Sequence, residues 1–327
     1  MAKARITAVE AARRIHRANL EIAACRKALA AAVQPGRRSP HVFAGEWRRI
    51  NAALERSRAL LSKIPGVVGH GLGRRFKAGR ETEERCLVVF VREKKTLAEL
   101  KRERTRRVPK TIRSGSGRIP IDVVQMGPLR RQDGIESIGE PGSGRWGTIG
   151  ALAFDLATRQ RVAITAMHVT GKADLDVSAG DTALVMASPS DGPVVGQLVL
   201  GTTSGVDAAK VLLADSVQLV PPLSLKDARP ISNDHGISVR LFGAASQLQR
   251  GVVQYLNVNL LINGESLINT LLVSIATTDG DSGAGLVDES GYLLGFLVGV
   301  SPLPGQEDLR VFTPALTALS TLNCSIT

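Results

Sequence analysis

Two rhythms of apolar residues divide the chain. Up to about residue 64 the period is helical: Ala8, Ala11, Ile15, Ala18, Ile22, Cys25, Leu29 and Ala32 recur at alternating spacings of three and four, as do Phe43, Trp47, Ile50, Leu54, Ser57, Leu61 and Ile64. Thr7 with Glu10 forms a capping box and Gln34-Pro35-Gly36 a stop, so residues 8–33 read as one helix; Pro65-Gly66 ends a second over residues 42–63. Together they predict a helical hairpin over residues 1–64, whose stripes either bury each other or dock a partner.

From Gly66 the period falls to two. Val67-Val68-Gly69-His70-Gly71-Leu72-Gly73, Cys86-Leu87-Val88-Val89-Phe90-Val91 and Ile119-Pro120-Ile121-Asp122-Val123-Val124 read as strands, with a short charged helix over residues 96–104. The glycine run at 69–73 has the look of a phosphate loop, but no helix opens behind it, which favours the strand. Residues 65–131 thus form a small α+β module, and residues 132–143, rich in Gly, Pro and Ser, a linker. Beyond Gly144 short apolar segments follow one another between turn residues, at 150–154, 161–165, 182–187, 194–200, 208–213, 237–242, 252–258, 271–276, 285–287 and 293–300. Such spacing predicts closed or sandwiched antiparallel β-structure over residues 144–327.

Charge sharpens this division. Residues 1–131 carry 32 basic and 11 acidic side chains and the remainder 10 and 19, so the net +12 belongs to the N-terminal part alone. Three readings stay open for that basic part: docking onto the acidic part, tracking a nucleic-acid backbone, or a solvated face. The second is weakened by a near absence of aromatics for base stacking. Only 3% of all residues are aromatic against 43% hydrophobic, so the core is built from Val, Leu, Ile and Ala. The longest helical apolar stretch, residues 18–33, is interrupted by Glu21, Arg26 and Lys27, which argues against a membrane span or a signal peptide. Cys25, Cys86 and Cys324 are odd in number and widely spaced, predicting free thiols and a cytoplasmic protein with neither a metal nor another cofactor.

The candidate chemistry lies in the β-rich part. Gly280-Asp281-Ser282-Gly283 stands between two apolar runs, far downstream of Thr165-Ala166-Met167-His168-Val169. A serine hydroxyl needs a base within hydrogen-bond reach and donors aimed at the oxyanion it creates. Gly280 can adopt backbone angles that would turn the amides of Gly280 and Ser282 toward one point. Between the two motifs Asp207 opens the strand Ala208-Ala209-Lys210-Val211-Leu212-Leu213, while Asp174, Asp176, Asp181 and Asp215 compete as the acid. Asp174 and Asp176 follow the histidine closely, and Asp215 ends a strand. His16, His41, His70 and His235 have no comparable setting.

In the order His168, Asp207, Ser282, residues 144–319 resemble the chymotrypsin-fold, trypsin-like serine peptidases of bacteria. The resemblance implies two antiparallel β-barrels preceded by the hairpin and module, a mainly β chain with an α+β N-terminal part. It implies peptide or protein substrates, an oxyanion hole from the Gly280 and Ser282 amides, and a primary pocket with Ala276 at its floor and Val298, Gly299 and Val300 as a substrate-pairing wall. With no acid at that floor, a small or apolar residue is expected before the scissile bond. The cysteines flanking these motifs in secreted members are absent, as is an evident activation site in residues 144–149. Control is then expected through the basic N-terminal part, with a protein partner on the hairpin. The competing expectation is an inactive protease-fold binding or scaffold protein, associated with nucleic acid through its basic part.

Overall fold

The computed structural model describes residues 40–77, 80–115, 117–128, 130–131, 138–139, 145–170, 184–187, 194–219, 223–231, 235–262, 265–301 and 308–326. The first predicted helix lies outside these residues. From Trp47 to Thr327 the chain forms one compact unit. Helix α1 (Pro40–Leu61) leads into β1 (Val67–Lys77) and β2 (Arg80–Val91); α2 (Leu97–Arg102) and β3 (Thr111–Ser114) precede β4 (Gly117–Gln125) and the two-residue β5 (Arg130–Arg131). Next come β6 (Ala151–Asp155), β7 (Arg161–Thr165), β8 (Leu184–Ala187), β9 (Val194–Thr202), β10 (Ala208–Leu213) and β11 (Asp227–Ala228). The C-terminal part comprises β12 (Ser238–Gly243), β13 (Gln247–Ile262), β14 (Glu265–Ile275), β15 (Gly285–Asp288), β16 (Tyr292–Ser301), β17 (Leu309–Pro314), α3 (Ala315–Thr321) and β18 (Cys324–Ser325).

The chain is mainly β with an N-terminal helix, as its patterning predicts. One body is a six-stranded sheet in the order β18-β6-β7-β10-β9-β8. The other is a closed barrel: strands run β12-β15-β16-β17-β14-β13, and β13 pairs back to β12, every neighbour antiparallel. Closure is local to these six strands, because the sheet also continues beyond them and β16 extends past its barrel neighbour to pair with β5.

The length of β13 joins the basic part to this barrel. Its first residues pair with β12, and beyond the end of β12 the same strand pairs with β1, Leu256 opposite Leu72 and Leu260 opposite Gly69. β1 then carries the sheet on through β2, β4 and β3. The glycine run belongs to this contact. A Cβ at Gly71 would press on Val258, and one at Gly73 on the Tyr255 ring. Close approach of β13 accounts for these glycines.

Helix α1 covers that sheet. Trp47, Ile50, Leu54 and Leu61, the predicted stripe, are buried with Leu72, Leu87, Val89, Ile119 and Ile121. Burying each such side chain is worth about 1.5–3 kcal/mol. The sequence leaves this stripe to the first helix or to a partner; the sheet is what receives it. Short elements escape the periodicity: β3, β5, β11, β17, β18 and α3 have no predicted counterpart, being two to seven residues long. Among the described residues no helix is long and apolar enough to cross a membrane. Cys86 and Cys324 are buried free thiols.

Candidate active site

Two adjacent strands deliver the histidine and the aspartate. β7 and β10 pair antiparallel with Thr165 opposite Ala209, so the residues just past the end of β7 face those just before β10. His168 sits in a single 3₁₀ turn, Met167–Thr170, and Asp207 immediately precedes β10. The His168 Nδ1 lies 2.7 Å from Asp207 Oδ2, and the His168 backbone N–H donates to Oδ1 at 3.1 Å. Both residues are essentially inaccessible. An ionised carboxylate only accepts, so in the neutral ring Nδ1 carries the proton and Nε2 the lone pair. The Asp207 N–H donates to Thr313 Oγ1 of β17 at 3.3 Å, tying this pair to the barrel.

Two of the candidate acids, Asp207 and Asp215, lie among the described residues. Asp215 is exposed in a turn beyond β10, and Asp174, Asp176 and Asp181 lie outside the described residues. Asp207 is the described candidate bonded to His168.

The serine comes from the barrel. Gly280 takes a φ of 101° and Gly283 one of 89°, the left-handed region that favours glycine, which turns the chain sharply around Ser282. Gly283 N–H donates to Leu297 O of β16 at 2.7 Å, and Ala284 N–H to Asp281 O at 2.9 Å. A Cβ on Gly283 would overlap Thr165 Oγ1, so this loop lies directly against the end of the histidine strand. Neither the Gly280 nor the Ser282 N–H has an acceptor among the described residues. Ser282 is fully buried, and its Oγ likewise has no hydrogen-bond partner among them. Hydroxyl and imidazole are therefore not hydrogen-bonded in this conformation; such contacts commonly tighten only when substrate is bound.

No protein-family model matches the chain, and no curated protein matches it. Solved structures of chymotrypsin-fold serine proteases are similar to it. A glutamic-acid-specific serine protease, described as using a histidine triad in substrate binding, is 20% identical over 58% of this chain and 97% of its own, with a TM-score of 0.48. Cellulomonas bogoriensis chymotrypsin is 19% identical over 60% of this chain and 98% of its own, TM-score 0.44. An α-lytic protease homolog is 20% identical over 60% and 98%, TM-score 0.44. At such identities and scores the likeness assigns no residue a role, and each residue's part in the site rests on the geometry here.

Three residues that sequence reasoning missed, Thr148, Gly243 and Arg310, surround the serine loop. Thr148 is a clasp: its N–H donates to Ser282 O (2.6 Å), its Oγ1 donates to Gly280 O (2.8 Å) and accepts from Ala244 N–H (2.9 Å), and its carbonyl accepts from Thr165 Oγ1 (2.8 Å). The serine loop, the histidine strand and the turn after β12 thus meet on one threonine. Gly243, the last residue of β12, has no room for a side chain because Asp281 fills the space. The fully buried Asp281 carboxylate accepts from three backbone amides, Thr278 (2.9 Å), Ser246 (3.0 Å) and Ala245 (3.1 Å). The third is Arg310 of β17, whose guanidinium donates to Thr277 Oγ1 at 2.6 Å and Thr277 O at 3.1 Å, beside the expected pocket floor.

The residues of the expected pocket fall in different settings. Ala276 is exposed just beyond β14, while the Val298 side chain is taken up in the core with Phe90, Tyr255 and Val311. Gly299 and Val300 pair on one side with Val311 and Arg310 of β17. On their other side they pair antiparallel with Arg131 and Arg130 of β5. Among the described residues no three His, Cys, Asp or Glu side chains group to hold a metal ion.

Proposed function

We propose that this chain is a serine endopeptidase working through Ser282, His168 and Asp207. The observation that carries the reading is the imidazole held by a buried carboxylate at the strand end against which a serine loop with two unengaged amides is packed. In the reaction the Ser282 oxygen bonds to the peptide carbonyl carbon while its proton passes to His168 Nε2. Asp207 keeps the tautomer and stabilises the imidazolium. The negative oxygen of the tetrahedral intermediate is received by the Gly280 and Ser282 amides, each worth about 2.7–4 kcal/mol in comparable sites. The C–N bond breaks as the imidazolium gives its proton to the leaving amine, and water then attacks the acyl-enzyme by the same route. A small or apolar residue precedes the scissile bond, and the guanidinium anchored at Thr277 makes that pocket unfavourable to Lys or Arg.

The basic N-terminal part restrains this enzyme through β5. The nucleophile loop is bonded to β16 at Leu297, and two residues further on the strand edge is the one an extended peptide would join as an added strand beside Ser282. Arg130 and Arg131 hold that edge. Turnover of a mixed peptide library is the test: the intact chain, or one with β5 displaced, hydrolyses it, and Ser282→Ala and His168→Ala abolish the activity. The burial of Ser282 and its unbonded hydroxyl favour a second reading, a binding protein without catalysis. Peptide bound but never cleaved by any of these proteins would establish that reading and remove the first.

A further inference from the structure

The N-terminal sheet carries a cavity of about 680 Å³ that the peptidase reading does not use. Its floor is apolar, formed by Val91 of β2 with Ile121 and Val123 of β4, and its roof is Leu100 of α2 with residues 105–110. The roof is loosely seated: α2 has no buried residue, and Leu97 is 56% exposed. Its Thr96–Glu99 capping box nevertheless makes α2 a defined element.

Charge is the second feature. Seven basic and three acidic residues line the space. Arg75 is paired with Glu84 and Lys95 with Glu103, and the Asp122 carboxylate accepts from the amides of Phe76 and Val123. Arg92, Lys94, Arg106, Arg107 and Lys110, and against them the one carboxylate Glu93, are left with no ion-pair partner among the described residues. Cations gathered in one concavity repel each other, and a bound anion reverses the sign of that energy.

Size and shape choose the anion. The volume falls within the range of small-molecule sites. A space of this volume is about 10 Å across and holds about three residues of extended peptide at 3.3–3.6 Å each, too few to present four or five carboxylates. A chain of phosphates places that many charges within the same span, and guanidinium forks match phosphate oxygens in pairs. The lining contains no aromatic side chain, so it offers no platform for stacking the successive bases of a nucleic-acid strand. We infer that this cavity binds an organic polyphosphate, its phosphates against Arg92, Lys94, Arg106, Arg107 and Lys110 and its ring system on the Val91–Val123 floor.

Calorimetric titration of the full-length chain with ATP, inorganic tripolyphosphate, hexaglutamate and a single-stranded oligonucleotide tests this. ATP is expected to bind saturably and tripolyphosphate about tenfold more weakly, for want of the apolar contact. Arg107→Ala/Lys110→Ala and, separately, Arg92→Gln/Lys94→Gln are expected to weaken ATP binding about tenfold or more, and raised salt to weaken it further. These side chains are exposed, so the unliganded melting temperature stays unchanged. No saturable ATP binding, binding indifferent to both double variants, or tighter binding of hexaglutamate or the oligonucleotide overturns the inference.

Discussion

The serine cleft and the basic cavity hang on one continuous sheet, yet they treat polar groups in opposite ways. In the cleft each carboxylate is fully engaged, Asp207 by His168 and Asp281 by three amides, and the groups left over are neutral: one hydroxyl, the His168 Nε2 and two N–H. In the cavity the apolar floor is settled, and five cations and one carboxylate, Glu93, are left over, a net excess of positive charge. Leftover neutral donors in a rigid, buried frame suit charge that develops briefly during a reaction. Leftover charges at an open concavity suit a counter-ion that arrives and stays. On the two proposals made above, the contrast is that between a place for chemistry and a place for binding.

Substitutions in the frame are the strongest way to break this contrast. Asp281→Asn keeps the shape but turns an NH₂ toward amide donors that now face a carboxylate. Loss of charge-assisted bonds and a buried donor–donor contact predict destabilisation of about 3 kcal/mol, read as a lowered denaturation midpoint at unchanged slope. A midpoint within error of the parent would show that Asp281 does not hold the loop. Thr148→Val is milder. It removes the hydroxyl between Gly280 O and Ala244 N–H at nearly constant volume, with an expected cost of about 2 kcal/mol. Peptide turnover should fall further than stability explains, because the Gly280 carbonyl that Thr148 fixes belongs to the nucleophile loop. Equal turnover in Thr148→Val and parent would reduce the residue to packing. The cavity substitutions above should leave both readouts where they are, and any loss of turnover there would blur the distinction between the two regions.

How much of this the chain announces depends on how local each feature is. His168, Asp207 and Ser282 are legible because each sits in a short string whose neighbours form the strand end or turn that presents it. The strand character of 69–73 is legible too, but its tight packing on β13 is not, since Val258 and Tyr255 are nearly two hundred residues away. Thr148 lies in a stretch with no periodicity, and its four bonds reach 165, 244, 280 and 282; no window of sequence contains them. The same holds for β5, two arginines whose strand character exists only because the β16 edge is there to receive them. Arg310 lies in β17, which has no predicted counterpart, and only the fold brings it to Thr277. The partition of charge was visible in composition, but which cations find partners is a matter of tertiary placement.

One measurement bears most directly on the claim that Ser282 is an activated nucleophile behind an edge held by the chain's own segment: the rate of covalent labelling by a fluorophosphonate probe. The parent protein should label slowly and Ser282→Ala and His168→Ala not at all. Arg130→Pro/Arg131→Pro, which removes two backbone donors from β5, should label about tenfold faster, the equivalent of one or two hydrogen bonds. Absence of labelling in every folded form, or labelling that survives Ser282→Ala, would contradict it.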